Sequence, residues 1–223
     1  MQARTATVIG ATGLIGSHLV QKLQENNHFQ TIRLLVRRPV SIMGPKIEVK
    51  LVNFQDHESF KIGIDASSDV FCAIGTTMKK VKGDKNAYRS IDFDIPVNAA
   101  QYCEETGCNS FLLVSSIGAN SKAGNFYLRL KGEVEDAIRG KKINSISIFR
   151  PSMLLGKREE IRTGESIGQS VMKVLSPIMG GSLFKYKPIE ASVVATAMVQ
   201  ASLQSKPGLA IYDYKGIQDL LQS

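Results

Sequence analysis

No stretch of the 223-residue chain reaches the roughly 18 to 20 uninterrupted apolar residues that a membrane-spanning helix needs, so no membrane span is expected. The N-terminus also lacks the basic start, apolar run and small-residue cleavage site of a secretory signal, and the expectation is a soluble, intracellular, cytoplasmic protein. Cysteine is scarce. Cys72, Cys103 and Cys108 are odd in number and form no C-x-x-C pair, which argues against a disulfide framework and a structural zinc site; they read as small buried or half-buried thiols. The three histidines, His18, His28 and His57, show no metal-ligand spacing such as a pair four apart on one helix face, and no metal is expected. Internal repeats and low-complexity tracts are absent too.

The sequence does have enough apolar residues, 43%, to bury one sizeable core, and it is short for two full domains. Residues 1–223 are therefore expected to form a single domain. The net charge of +8 permits binding to nucleic acid or anionic lipid, but the basic residues are spread along the chain and serve a phosphorylated cofactor equally well. Two local concentrations occur, Arg33-Arg37-Arg38 and Lys79-Lys80-Lys82-Lys85. The lysines read as an exposed solubilising loop that can also border a cofactor cleft. Nucleic acid is not an expected partner; steep salt dependence of duplex binding would mark one.

Hydrophobic patterning alternates short β-branched runs with helical periodicity. Strands are predicted over Thr5–Ile9, Ile32–Val36, Glu48–Val52, Asp69–Ile74, Ser110–Val114 and Ser145–Phe149. Helices are predicted from Gly13 to about Asn26, near His57–Ile62, over Ala87–Thr106 and over Tyr127–Arg139. This order implies right-handed βαβ crossovers and an α/β fold: a doubly wound parallel sheet, Rossmann-like, with a small C-terminal substrate-cap region. Residues 1–150 would carry the core and 151–223 the cap, which includes one amphipathic helix over Ser192–Leu203.

Three segments carry chemistry. Gly10-Ala11-Thr12-Gly13-Leu14-Ile15-Gly16 follows the first strand and opens the first helix, where glycines let the backbone approach a pyrophosphate and helix amides supply donors. The spacing is G-x-x-G-x-x-G. At the end of the second strand, an acid would accept hydrogen bonds from a ribose diol; here stand Arg37 and Arg38, which suit the 2′-phosphate of NADP(H), unless they are simply solvated. Finally, Ser115-Ser116 end the fifth strand, and Tyr127 and Lys131 follow one helical turn apart. Their shared face lets the ammonium prepare the phenol for proton transfer and bind a ribose hydroxyl, while Ser116 holds a substrate oxygen. Glu133, Glu135 and Asp136 read as a solvated helix face.

With these segments, Phe71-Cys72-Ala73-Ile74-Gly75-Thr76-Thr77, the run Asn125 to Glu135, and Phe149-Arg150-Pro151, the chain resembles the short-chain dehydrogenase/reductase superfamily, and within it the atypical members related to the Tat-interacting-protein oxidoreductase. The resemblance implies a Rossmann fold, NADP(H) binding and a catalytic set of Ser116, Tyr127 and Lys131. It also implies that Ile74, Gly75 and Thr76 line the cofactor and that Pro151 sits beside the nicotinamide. One position departs from the pattern: the asparagine that many members carry in the central helix is Asp92 here.

Two functions from different classes are compatible with these residues. One is an oxidoreductase moving hydride between the nicotinamide and a small carbonyl or alcohol; the other is an NADP(H)-sensing regulatory protein with a protein partner. The substrate pocket would fall within residues 152–188, with Met153, Leu154 and Phe184 as apolar contacts or core. A monomer and a homodimer are both compatible with the sequence.

Overall fold

A computed structural model describes residues 4–156 and 185–222. The first strand, β1 (Arg4–Ile9), leads through the glycine turn into α1 (Leu14–Glu25), β2 (Phe29–Val36) and β3 (Ile47–Leu51). Then come α2 (His57–Ile64), β4 (Asp69–Cys72), α3 (Lys85–Arg89), a π-helical turn (Ser90–Asp94) and α4 (Ile95–Thr106). The chain continues through β5 (Ser110–Val114), α5 (Phe126–Arg139), β6 (Ser145–Phe149) and β7 (Leu154–Leu155). Described structure resumes before β8 (Ile189–Glu190), α6 (Ala191–Gln204), β9 (Gly208–Tyr212) and α7 (Tyr214–Asp219).

The sheet runs β3-β2-β1-β4-β5-β6-β9, and all six pairings are parallel. Its central strands are apolar on both faces, as a sheet covered on both sides requires. Successive residues alternate between the two layers. Val8, Leu34, Phe71, Leu112 and Phe149 pack towards α1, α6 and α7. Ile9, Leu35, Val70, Cys72, Phe111, Leu113 and Ile148 face α2, α4 and α5. Strand order reverses between β1 and β4, so a crevice for a ligand opens beyond their carboxyl ends.

The sheet extends further along the chain than residue 150. β9 pairs with β6 in the register Ser145↔Gly208 to Phe149↔Tyr212 and makes the seventh strand. The helix expected to be amphipathic, α6, is buried on more than one side, through Ala191, Val194, Ala195, Ala197, Met198, Val199, Ala201 and Ser202. Its alanines let it lie close against α1 while its other sides meet β6 and α7. β7 and β8 form a separate two-stranded pair in which Leu154 lies beside Ile189. Among the expected pocket residues, 157–184, including Phe184, lie outside the described residues.

The helix expected over Ala87–Thr106 is interrupted by the π turn at Ser90–Asp94. Pro96 stands at the start of α4; it offers no N–H to the carbonyl of Asp92, and its ring crowds that carbonyl. A wider turn relieves the crowding, and such turns often accompany functional sites. Arg33 is a second correction. It does not join Arg37 and Arg38 in a surface patch but is 9% exposed within β2. Its Nε donates to Glu48 at 2.8 Å, on the strand position in register with it, and Nη1 donates to the Asp65 carbonyl at 2.6 Å. A guanidinium in a doubly covered strand has to be paired this way.

Candidate functional site

The turn after β1 is built from glycine because its backbone packs too closely for side chains. Gly10 has φ +91°, a left-handed conformation, and a Cβ there would lie 2.8 Å from the backbone of Ala73 and Ile74. A Cβ on Gly16 would lie 2.0 Å from the Gly10 carbonyl oxygen, so α1 and the turn touch through backbone alone. Gly13 N–H donates to that same oxygen at 2.9 Å. Gly10 thus lies against Ala73 and Ile74 after β4, while Gly13 and Gly16 pack on Gly10 itself.

The N-terminus of α1 has neither a capping side chain nor an acid in its first turn. α4 and α6 likewise have no capping side chain, whereas α2, α3, α5 and α7 are capped by Asp56, Asp84, Asn125 and Asp213. The amides of Leu14, Ile15 and Gly16 therefore point out of the helix with no side-chain acceptor, in the field of the helix dipole. An anionic diphosphate fits that cradle, with Thr12 on the turn. The register Ile9↔Leu35 carries exposed Arg37 and Arg38 just past the end of β2, alongside the turn.

Further along the crevice, Lys131 on α5 is 5% exposed, and its Nζ lies 3.1 Å from Asp92 Oδ1. Asp92, 1% exposed in the π turn, accepts from Thr76 N–H at 2.7 Å through its other oxygen. One carboxylate thus ties the lysine to the segment after β4. Burial opposes the charged form of Lys131, but the charges of Asp92 and Tyr127 and the Asp92 hydrogen bond outweigh it and hold the ammonium above the ordinary lysine range. The neighbouring Cys72 thiol is pushed up to about 12 by burial and stays neutral. Tyr127 is 39% exposed, with the Lys131 ammonium 6.0 Å from its ring centroid.

Ser116 is half-buried, and its Oγ donates to the Ile117 carbonyl at 3.3 Å. Its loop is anchored at both ends: Ile117 N–H donates to Pro151 O at 3.0 Å and Asn120 N–H to Leu128 O at 3.1 Å. The loop lies directly on α5, because a Cβ on Gly132 would be 2.1 Å from Ser121 N and 2.2 Å from the Asn120 carbonyl carbon. Gly132→Ala is expected to lower stability by about 1–3 kcal/mol, the usual cost of overpacking, and to displace the loop from Tyr127. Thermal unfolding measures the first effect, and an unchanged midpoint would contradict it.

Ser115 is directed away from the crevice, since its Oγ donates to Glu135 inside the protein. Glu135 is no part of a solvated face. It is 1% exposed and accepts a bidentate hydrogen bond from Arg150 as well as the serine bond. Glu133 pairs with Arg89 at 2.6 Å, and only Asp136 of the three acids is fully at the surface. The Ser115-Glu135-Arg150 network ties the ends of β5 and β6 to α5 and so supports the loop that carries Ser116. Glu135 falls on the stripe of Lys131, Val134 and Ile138, a helical-periodicity signal that its acidic neighbours mask.

A family profile described as NAD(P)H-binding matches residues 10–201. Protein FMP52, mitochondrial, from Debaryomyces hansenii is 32% identical over 207 residues, covering 91% of this chain and 88% of the relative. Protein HTATIP2 of Rattus norvegicus is 30% identical, covering 74% of this chain and 69% of the relative. Among solved structures, the Bordetella bronchiseptica enzyme WbmH in complex with NAD+ matches with a TM-score of 0.73 over 99% of this chain and 80% of that one. At 14% identity this likeness concerns the fold. The cytoplasmic expectation is corrected here: several relatives, including those from Debaryomyces hansenii, Meyerozyma guilliermondii and Candida albicans, are named mitochondrial. Among the described residues, no helix is long and apolar enough to cross a membrane. The glycine cradle, the α/β sheet and the sequence relationships together place the chain in the NAD(P)H-binding family, alongside short-chain-dehydrogenase-like proteins.

Proposed function

We propose that this protein is an NADP(H)-dependent oxidoreductase of the short-chain dehydrogenase/reductase type acting on a small carbonyl or alcohol. The observation that carries the reading is the buried Lys131 ammonium, 6.0 Å from the Tyr127 ring and joined through Asp92 to the segment after β4 that packs on Gly10. The diphosphate would rest on Gly10, Thr12, Gly13 and the amides of Leu14, Ile15 and Gly16. Arg37 and Arg38 would take the 2′-phosphate, pairing with its oxygens as guanidinium groups do.

Ile74, Gly75 and Thr76 would border the nicotinamide half, with Pro151 opposite, and Ser115 would act through its bond to Glu135 by fixing the strand end. The bound nicotinamide supplies or accepts the hydride. Lys131 would hold the ribose hydroxyl and keep positive charge beside Tyr127. Ser116 Oγ would turn from the Ile117 carbonyl to donate to the substrate oxygen. Tyr127 would give its phenolic proton to that oxygen in reduction and take it back in oxidation.

The test is consumption of NADPH, followed by the loss of nicotinamide absorbance, across a panel of aldehydes and ketones. Substrate-dependent oxidation of NADPH is the expected outcome; none across the panel would count against catalysis. A second reading, an NADP(H)-sensing regulatory protein, draws support from the Asp92 carboxylate that balances the Lys131 charge. It requires that a protein partner bind the apo and cofactor-loaded forms differently, and equal binding would sink it.

A further inference from the structure

Two of the three cysteines meet at the end of α4, far along the helix from Asp92. Gly107 caps that helix in the left-handed conformation, φ 75° and ψ 32°, and Cys108 N–H donates to the Cys103 carbonyl at 2.9 Å. This six-residue closure folds the chain back so that the side chains at its two ends touch. Here both ends are thiols, and Cys103 Sγ also donates to the Ser110 carbonyl at 3.9 Å. The Thr106 hydroxyl lies 3.6 Å from Cys108 Sγ. Cys103 is fully buried, while Cys108, 5% exposed, borders the surface. Nothing in the proposed chemistry uses either residue.

We propose that Cys108 and Cys103 form a peroxide-responsive pair, with Cys108 the thiol attacked by peroxide and Cys103 the resolving thiol, closing to a disulfide across the end of α4. The two sulfurs are unequal in access, since Cys103 is fully buried and Cys108 is 5% exposed. The neighbouring Cys103 and Thr106 side chains hold Cys108 below the ordinary thiol range against the opposing effects of burial and the Asp69 charge. Burial, chiefly, pushes Cys103 up. A more acidic thiol beside a neutral one is an arrangement suited to a reversible redox pair.

The Cys108 thiolate attacks one oxygen of hydrogen peroxide, the O–O bond breaks, and a sulfenic acid and hydroxide result. Cys103 sulfur then displaces the sulfenic hydroxyl: its S–H proton is lost, the S–S bond forms, the S–O bond breaks, and water leaves. Two thiols are oxidised and one peroxide is reduced to water. The oxidant has to be small, because only Cys108 reaches the surface, and peroxide is close to water in size.

The full chain would be treated with hydrogen peroxide, alkylated, digested with trypsin and weighed. Residues 90–122 form one tryptic peptide that contains Cys103 and Cys108 and no other cysteine, while Cys72 falls in a separate peptide. The expected result is a 90–122 peptide lighter by two hydrogens and closed to alkylation, restored by dithiothreitol, with Cys72 still alkylated. In Cys103→Ser the sulfenic acid at Cys108 should persist and be captured by dimedone. Peroxide treatment that leaves both thiols alkylatable, carries Cys108 to sulfinic acid without a disulfide, or links Cys108 to Cys72 or to a second chain would overturn the proposal. The wild-type peptide map alone decides this if the variant does not fold.

Discussion

Tyr127→Phe is expected to lower kcat by about 10²–10⁴-fold, the usual contribution of a positioned proton donor, while NADPH affinity stays within a few-fold of the parent. The ring remains, so its contact with the Lys131 ammonium and the packing of the first turn of α5 persist, and only the hydroxyl is lost. Steady-state kinetics on the best carbonyl substrate, with NADPH binding measured separately, would separate the two effects. Unchanged turnover would remove Tyr127 from the proton path. A parallel loss of cofactor affinity would give the hydroxyl a binding role instead.

Lys131→Met should destabilise the fold by about 3–5 kcal/mol, the cost of leaving a buried charge without its partner. Asp92 is 1% exposed, and its remaining contact would be the Thr76 amide. The double variant Lys131→Met with Asp92→Asn tests the cause. An asparagine Oδ1 can still accept from Thr76 N–H, the charge is gone, and a methionine fills the volume of the lysine stem. Most of the lost stability should therefore return, and denaturant unfolding of the four forms gives the coupling directly. If the double variant is as unstable as the single one, lost packing around the lysine stem, and not the unpaired carboxylate, is the cause.

The sheet was readable in the sequence where burial is strongest. β5 and β6 have the predicted limits, Ser110–Val114 and Ser145–Phe149, because their apolar runs end abruptly at serine and arginine. β9 was not legible. It is an edge strand, half-exposed at Leu209 and Ile211, and its pattern resembles a loop until β6 is there to pair with it. The periodicity of α6 misled for the opposite reason, since small residues on every side suit a helix packed between α1 and the sheet as well as an amphipathic one.

Of the candidate site, the glycine turn and the Tyr127-Lys131 spacing are local features and could be read directly. The paired charges could not. Asp92 with Lys131, Glu135 with Arg150 and Arg33 with Glu48 lie far apart in sequence and become partners only through the sheet order. A charged residue on an apolar stripe signals that a partner exists without naming it. The same holds for Cys103 and Cys108, where the backbone turn at Gly107 makes a pair out of two cysteines that spacing alone leaves unrelated.

The central claim, that the crevice over Gly10–Gly16 binds NADP(H), is tested most directly by titrating the purified protein with NADPH and with NADH, and repeating both on an Arg37→Asp/Arg38→Ser variant. The account predicts tight NADPH binding, weaker NADH binding, and loss of the preference in the variant. Failure to bind either nucleotide, or an NADPH preference that the variant keeps, would contradict it.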